Sequence, residues 1–300
     1  MSSRKWLNCR LWDIRERLIA QGHGVSLPVI SRLLKQHDYS LKGNRKVLEG
    51  APKPERDQQF RHIYAERAAH QAHGQPCISV DTKKKELIGD FKNSGQIWCR
   101  EAEQVKVHDF PSQAVGRAVP YGIYDLQHNC GTVYVGQSAD TPAFAVDNVA
   151  RWCRTELLER YPDATQLLIE ADAGGSNAYR AHVWKRDLQT KVADVFGLTV
   201  TVCHYPTGTS KWNPIEHRLF SEISKTWAGC PLRSFEVLRA YIDDTKTQTG
   251  LTAQAHLVTQ TYATGVKVPD DEMETLAIQT HMVCPQWNYT ISPRASAQAT

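Results

Sequence analysis

Apolar residues at 11, 14, 18 and 19 recur at the period of a helix, so the chain is expected to open with an amphipathic helix over this stretch. Gln21-Gly22-His23-Gly24 interrupts it with glycines suited to a tight turn. Ser26 is placed to cap a second helix, with Pro28 tolerated in its first turn. Val29, Ile30, Leu33 and Leu34 give that helix an inward face, while Arg32, Lys35 and Gln36 point elsewhere. Gly50 to Pro54 reads as a break, and from Glu55 to Ala72 the pattern is helical but polar on most sides, as in a spacer helix.

From residue 76 the periodicity changes. Strand-like runs occupy 77–81, 121–126 and 132–135, the last two joined as a hairpin through Asn129-Cys130-Gly131. A helix is expected over 142–160, with Val146, Val149, Ala150, Cys153 and Leu157 on one face. A fourth strand covers 166–172, a helix runs from the glycine turn at 174–177 to about Val195, a fifth strand covers 198–203, and a helix follows from Pro214 to Trp227. Another helix over 235–245 precedes short strands and turns. Strands alternating with crossover helices imply an α/β fold: a mixed five-stranded sheet with flanking helices, preceded by a helical arm. The expected divisions are an arm over 1–48, a linker and spacer helix over 49–75, a core over 76–230 and a C-terminal extension over 231–300.

The 300 residues are 41% hydrophobic and 23% charged, an ordinary globular composition for about two domains. The longest apolar run, near 195–202, is far short of the roughly twenty residues of a membrane-spanning helix. The N-terminus has no signal-peptide pattern. A cytoplasmic, nucleoid-associated protein without membrane contacts is expected. None of the eight cysteines falls at CxxC spacing, so no cysteine zinc site is expected. The net charge of +4 conceals an asymmetry: residues 1–70 hold 14 Lys and Arg against 7 Asp and Glu, leaving a slightly acidic remainder. A basic arm suggests a polyanionic partner. Helix, glycine turn and capped basic helix match a helix-turn-helix, in which Arg32 and Lys35 reach phosphates or guanine edges and Gln36 an adenine, with Arg45 and Lys46 close behind.

Three acids stand out by position. Asp81 ends the first strand, Asp172 ends the fourth, and Glu216 lies in the first turn of the helix after the fifth. Glu170, two residues before Asp172, competes for the same role, and Asn213-Pro214-Ile215-Glu216 also reads as a plain cap, proline and capping-box glutamate. If the first and fourth strands are neighbours, the three carboxylates converge on one hard-oxygen site suited to Mg²⁺ or Mn²⁺. Two such ions about 4 Å apart activate an attacking oxygen and stabilise a leaving oxygen on phosphorus.

The runs Ser79-Val80-Asp81-Thr82-Lys83-Lys84-Lys85-Glu86, Asp172-Ala173-Gly174-Gly175-Ser176-Asn177 and Gly208-Thr209-Ser210-Lys211-Trp212-Asn213-Pro214-Ile215-Glu216-His217-Arg218-Leu219-Phe220 resemble bacterial insertion-sequence transposases of the ISAzo type. Tyr39-Ser40-Leu41, Asn44-Arg45-Lys46 and Trp287-Asn288-Tyr289-Thr290-Ile291 extend the resemblance over most of the chain. It implies a DDE-class enzyme with an RNase H-like core, whose acids fall on Asp81, Asp172 rather than Glu170, and Glu216. It also implies two Mg²⁺ or Mn²⁺ ions, cleavage of transposon-end DNA, transfer of the freed 3′-hydroxyl into target DNA, and a homo-oligomer at synapsis. Lys83, Lys84 and Lys85 then become candidates to neutralise phosphates, Gly174 to Asn177 to open a phosphate-facing helix, and Ser210, Lys211, Trp212 and Arg218 to touch DNA.

Two departures accompany the resemblance. Met1 stands almost at the segment matching Trp6, which suggests an N-terminally shortened protein, and Thr207 occupies an expected proline position. The alternatives are a shortened, idle protein that occupies transposon ends, and a Mg²⁺-dependent phosphatase for which the basic arm has no use.

Overall fold

The computed structural model describes residues 9–40 and 54–294, in two compact units divided between Gly50 and Ala51. In the first unit, α1 (Leu11–Ala20) and α2 (Leu27–Gln36) form the expected helical pair, with Gly22 at φ +86° in the turn. Ser26 holds the N-cap position without a side-chain bond, and Pro28 lies in the first turn. Ile30 is buried, but Leu11, Ile19 and Leu33 are exposed, because two ten-residue helices do not enclose a core. Arg32, Lys35 and Gln36 are exposed on α2, whereas Arg45 and Lys46 lie outside the described residues.

The second unit opens with α3 (Pro54–Ala72) and is built on a mixed sheet. Its strands are β1 (Cys77–Thr82), β2 (Glu86–Ile88), β3 (Gly116–Asp125), β4 (Cys130–Gly136), β5 (Gln166–Ala171), β6 (Thr199–His204), β7 (Thr252–Val258), β8 (Ile278–Thr280) and β9 (Asn288–Ile291). The order is β7-β4-β3-β1-β5-β6-β9-β8, with β2 on β3. The five strands expected from the sequence are the contiguous centre of this sheet, β4-β3-β1-β5-β6. Among the described residues the structure corrects the count from five to nine: β2 adds to β3, and the segment after 245 supplies three strands to the two margins, with β7 parallel to β4 and β9 antiparallel to β6. These additions cover what would otherwise be open edges.

One sheet face is covered by α4 (Pro142–Trp152), α5 (Leu158–Arg160), α6 (His182–Asp187) and α7 (Asp194–Phe196), around the fully buried Trp152 and Trp184. The other receives α8 (Ser221–Thr226) and α9 (Phe235–Asp243), with Phe220, Ile223 and Leu238 in the core; α10 (Asp270–Glu274) is peripheral. The expected spacer helix α3 also lies on the sheet. Its Ile63 packs with Cys77, Leu168 and Tyr205, and its Gln59 exchanges hydrogen bonds with Asn288, Nε2 to Oδ1 at 2.7 Å and Nδ2 to Oε1 at 2.6 Å. Polar anchors do the docking, which is why hydropathy alone reads the helix as free-standing.

The helix expected from 174 onwards begins later. Gly175–Asn177 makes a single 3₁₀ turn and α6 starts at His182. Ser176 and Asn177 are buried by partners elsewhere: Ser176 Oγ lies 3.1 Å from Thr82 Oγ1, and Tyr121 OH donates to Asn177 Oδ1 at 2.9 Å.

Candidate active site

Parallel pairing of β1 with β5 sets Val80 opposite Ala171, so Asp81 and Asp172 emerge side by side from adjacent strands. Glu216 arrives from a helix secured to β1. Ser79 Oγ accepts a hydrogen bond from Ile215 N at 3.1 Å and donates to Asn213 Oδ1, while Asn213 Nδ2 donates to the Val80 carbonyl at 3.3 Å. Ser79 and Asn213 are completely buried. Asn213 therefore spends its side chain on β1 and does not cap its own helix. Gly122, paired with Asp81, permits the approach: a Cβ there would stand 2.5 Å from the Phe220 ring and 2.9 Å from Ile215 Cδ1. Glu216 opens a π-helical stretch, Glu216–Phe220, that continues into α8.

The three carboxyl groups share one electrostatic environment. Burial pushes Asp81 well above the ordinary carboxylate range, and the charges of Asp172 and Glu216 push it further, against the bond it accepts from Thr82 N at 2.7 Å. Asp172 is raised by burial, opposed by the Ala173 N–H. Glu216 is raised by burial, with Asp172 adding repulsion, while Asp81 as a hydrogen-bond partner and the Lys83 ammonium act in the other direction. Crowded acids with raised pKa values form a site short of positive charge. An all-carboxylate donor set fits a hard divalent cation. The acids are set too wide for all three to offer ligand atoms within 4.8 Å of one another; among the described residues only His62, Glu66 and His281 do so.

Asp81 and Asp172 line a cleft of about 410 Å³ with Thr82, Lys84, Lys85 and Arg117. Gly174 and Gly175 form part of its wall, and nothing lies within 4 Å of where their side chains would start. Lys83 is drawn inward, bonding Glu86 Oε1 at 2.9 Å with its ammonium 4.5 Å from the Trp227 ring centre. Lys84 is exposed, and Lys85 pairs with Asp140 Oδ2 at 3.3 Å. Asp140 is the carboxylate that sequence reading missed: it accepts from Thr82 Oγ1 at 3.0 Å and lines the cleft. Its only sequence signal is its place just before the Thr141-Pro142 helix start.

Glu170 has another post. Within β5 it is fully buried, bound by Arg67 through Nε at 2.6 Å and Nη2 at 2.5 Å, and by Tyr205 OH at 2.7 Å. A carboxylate neutralised in this way is a strut between α3 and the sheet. On the approach to Glu216, Ser210 is half-buried and Lys211 exposed; the Lys211 ammonium lies 4.0 Å from the Trp212 ring centre. The Trp212 ring meets Phe60 edge-on at 5.9 Å yet keeps 36% exposure, and Arg218 is exposed.

The family model described as the Rhodopirellula transposase DDE domain matches residues 1–293. The chain belongs to this family. The transposase is also similar to solved structures of the Mos1 transposase. It is 11% identical to a paired-end complex with the left transposon end (TM-score 0.47), 12% identical to a mariner paired-end complex with Mn (0.47), and 10% identical to a strand transfer complex (0.46). Each match covers 81% of this chain, and 73%, 73% and 72% of the respective Mos1 chains. No curated protein matches the transposase. Its fold is a mixed sheet with helices on both faces. Among the described residues no helix is long and apolar enough to cross a membrane.

Proposed function

We propose that Asp81, Asp172 and Glu216 hold two Mg²⁺ or Mn²⁺ ions, and that the transposase uses this site to cut DNA at the ends of its element and join the freed 3′-hydroxyl to target DNA. The observation that carries the reading is the delivery of three charge-starved carboxyl groups to one place by β1, the end of β5 and the Glu216 helix. When bound, the ions supply activation of the attacking oxygen and stabilisation of the leaving oxygen.

The chain's own residues position and neutralise. Thr82 N–H holds the Asp81 carboxylate, and the Ser79–Asn213 link holds the start of the Glu216 helix. His204 Nδ1 lies 3.0 Å from the Asp172 carbonyl, an acceptor, so the ring donates there and fixes the turn that carries the acid. Gly174 and Gly175 leave room for a phosphodiester beside these acids. Lys83, Lys84, Lys85 and Arg117 line the same cleft and offset phosphate charge, and the Lys83 ammonium also favours the charged form of Glu216. Trp212 offers a half-exposed ring to a frayed base, next to Lys211 and near Ser210, with Arg218 exposed on the following helix.

In the helical arm, Arg32, Lys35 and Gln36 share the exposed side of α2 and read element-end DNA, assisted by Arg45 and Lys46. Handling two ends together requires a homo-oligomer. The test is incubation with duplexes bearing the element's ends and a target plasmid. Joined products that need Mg²⁺ or Mn²⁺ and disappear in Asp81→Asn support the reading. DNA binding with neither cleavage nor joining under any divalent ion would contradict it and favour an idle end-binding protein.

A further inference from the structure

His62 and Glu66 sit one turn apart on α3, and His281 directly follows β8. His62 Nε2 lies 2.9 Å from His281 Nδ1, and Glu66 Oε1 is 3.7 Å from the first nitrogen and 3.8 Å from the second. All three side chains are partly buried, with 14%, 27% and 18% exposure in the order His62, Glu66, His281. We propose that they bind a transition-metal ion, zinc by preference, which clamps α3 to the β8–β9 hairpin.

Two imidazole nitrogens and one carboxylate oxygen are a zinc ligand set, with a fourth position left for water. Bonds of about 2.0–2.1 Å at tetrahedral angles place ligand atoms roughly 3.4 Å apart. The observed separations of 2.9, 3.7 and 3.8 Å bracket that value. The outer partner of His281 also fits. Its Nε2 lies 2.8 Å from Thr290 Oγ1, which can donate onward to Thr201 Oγ1 at 3.2 Å. With the proton held on Nε2, His281 Nδ1 keeps the lone pair a metal needs.

The clamp joins segments far apart in the chain. Here α3 meets the hairpin through polar groups, the Gln59–Asn288 pair and a contact from Cys284 Sγ to the Glu55 carbonyl at 3.7 Å. A metal would add a bond on the same seam. Imidazole ligands select against Mg²⁺, so the clamp and the all-carboxylate cleft call for different ions.

The test is titration of full-length, EDTA-stripped protein with ZnCl₂ against a zinc-sensitive indicator, with thermal unfolding followed in parallel. The expected result is one zinc per chain and a midpoint raised by several degrees. Affinity should fall at least tenfold in both His281→Gln and Glu66→Gln and stay unchanged in Asp172→Asn, and millimolar Mg²⁺ should not displace the zinc. Glu66 is the most exposed of the three, at 27%, so its variant keeps the test readable if His281→Gln fails to fold. No stoichiometric binding would leave a hydrogen-bonded histidine pair and overturn the proposal. Wild-type affinity in Glu66→Gln, or loss of the zinc in Asp172→Asn, would overturn it equally.

Discussion

Ser79 Oγ accepts a hydrogen bond from the backbone N–H of Ile215 at 3.1 Å, joining the middle of the first core strand to the residue before Glu216. Ser79 lies two residues before Asp81 on the same strand. One buried hydroxyl therefore ties the supports of two of the three acids together. Ser79→Ala leaves the Ile215 N–H and Asn213 Oδ1 short of a partner, at a cost of about 1–3 kcal/mol. The expected outcome in urea unfolding is a loss of that size. Any DNA-cleaving activity should fall further than the lower stability explains, because Glu216 loses its register to Asp81. Equal stability in Ser79→Ala would show that the contact is not formed.

Asp172 also bears on stability. The native pKa of Asp81 lies above the ordinary 3.8, through burial first and then the Asp172 charge. As pH rises past 3.8 the unfolded chain gives up this proton first, so metal-free stability declines until the native group has ionised as well. Asp172→Asn removes part of that repulsion. The metal-free variant should melt higher than wild type at pH 7 in EDTA, and Mg²⁺ should raise its midpoint less than it raises that of wild type. Calorimetry in EDTA and in Mg²⁺ checks both. A midpoint in EDTA at or below that of wild type would contradict the crowding.

His204 gives the opposite dependence on pH. It is completely buried, and burial depresses its pKa to about 4 from 6.5. Below pH 6.5 the unfolded chain takes up the proton first, so the contribution of the neutral ring is full above that pH and is lost as pH falls toward 4. The size is roughly 3 kcal/mol. Chemical unfolding at pH 4 to 7 should show a correspondingly flatter profile in His204→Asn, which can still donate to the Asp172 carbonyl. Parallel profiles for the two proteins would rule the assignment out.

Much of this arrangement was legible in the sequence because strands that end in acids carry two signals at once. Short strand-like runs mark β1, β5 and β6, and Asp81 and Asp172 stand where those runs stop. Glu170 and Asp172 could not be ranked by pattern alone, since the difference lies in Arg67, 103 residues away, which neutralises one and not the other. Lys83 read as a free cation like its neighbours, but its position at the end of β1 turns it toward Glu86 and Trp227. Asp140 had no periodic context, and becomes a cleft residue only through Thr82 and Lys85. The outer strands β7, β8 and β9 were seen only as short strands and turns, because their partners lie far away in the chain.

In the proposed site, three distant acids act together on DNA through divalent ions. The most direct measurement of this is nicking of a duplex carrying an element end, in Mg²⁺ and in EDTA, by wild type and by Asp172→Asn and Glu216→Gln proteins of verified fold. Mg²⁺-dependent nicking by wild type and a loss of at least a hundredfold in either variant are the expected results. Nicking by the variants at the wild-type rate, or nicking that persists in EDTA, would contradict it.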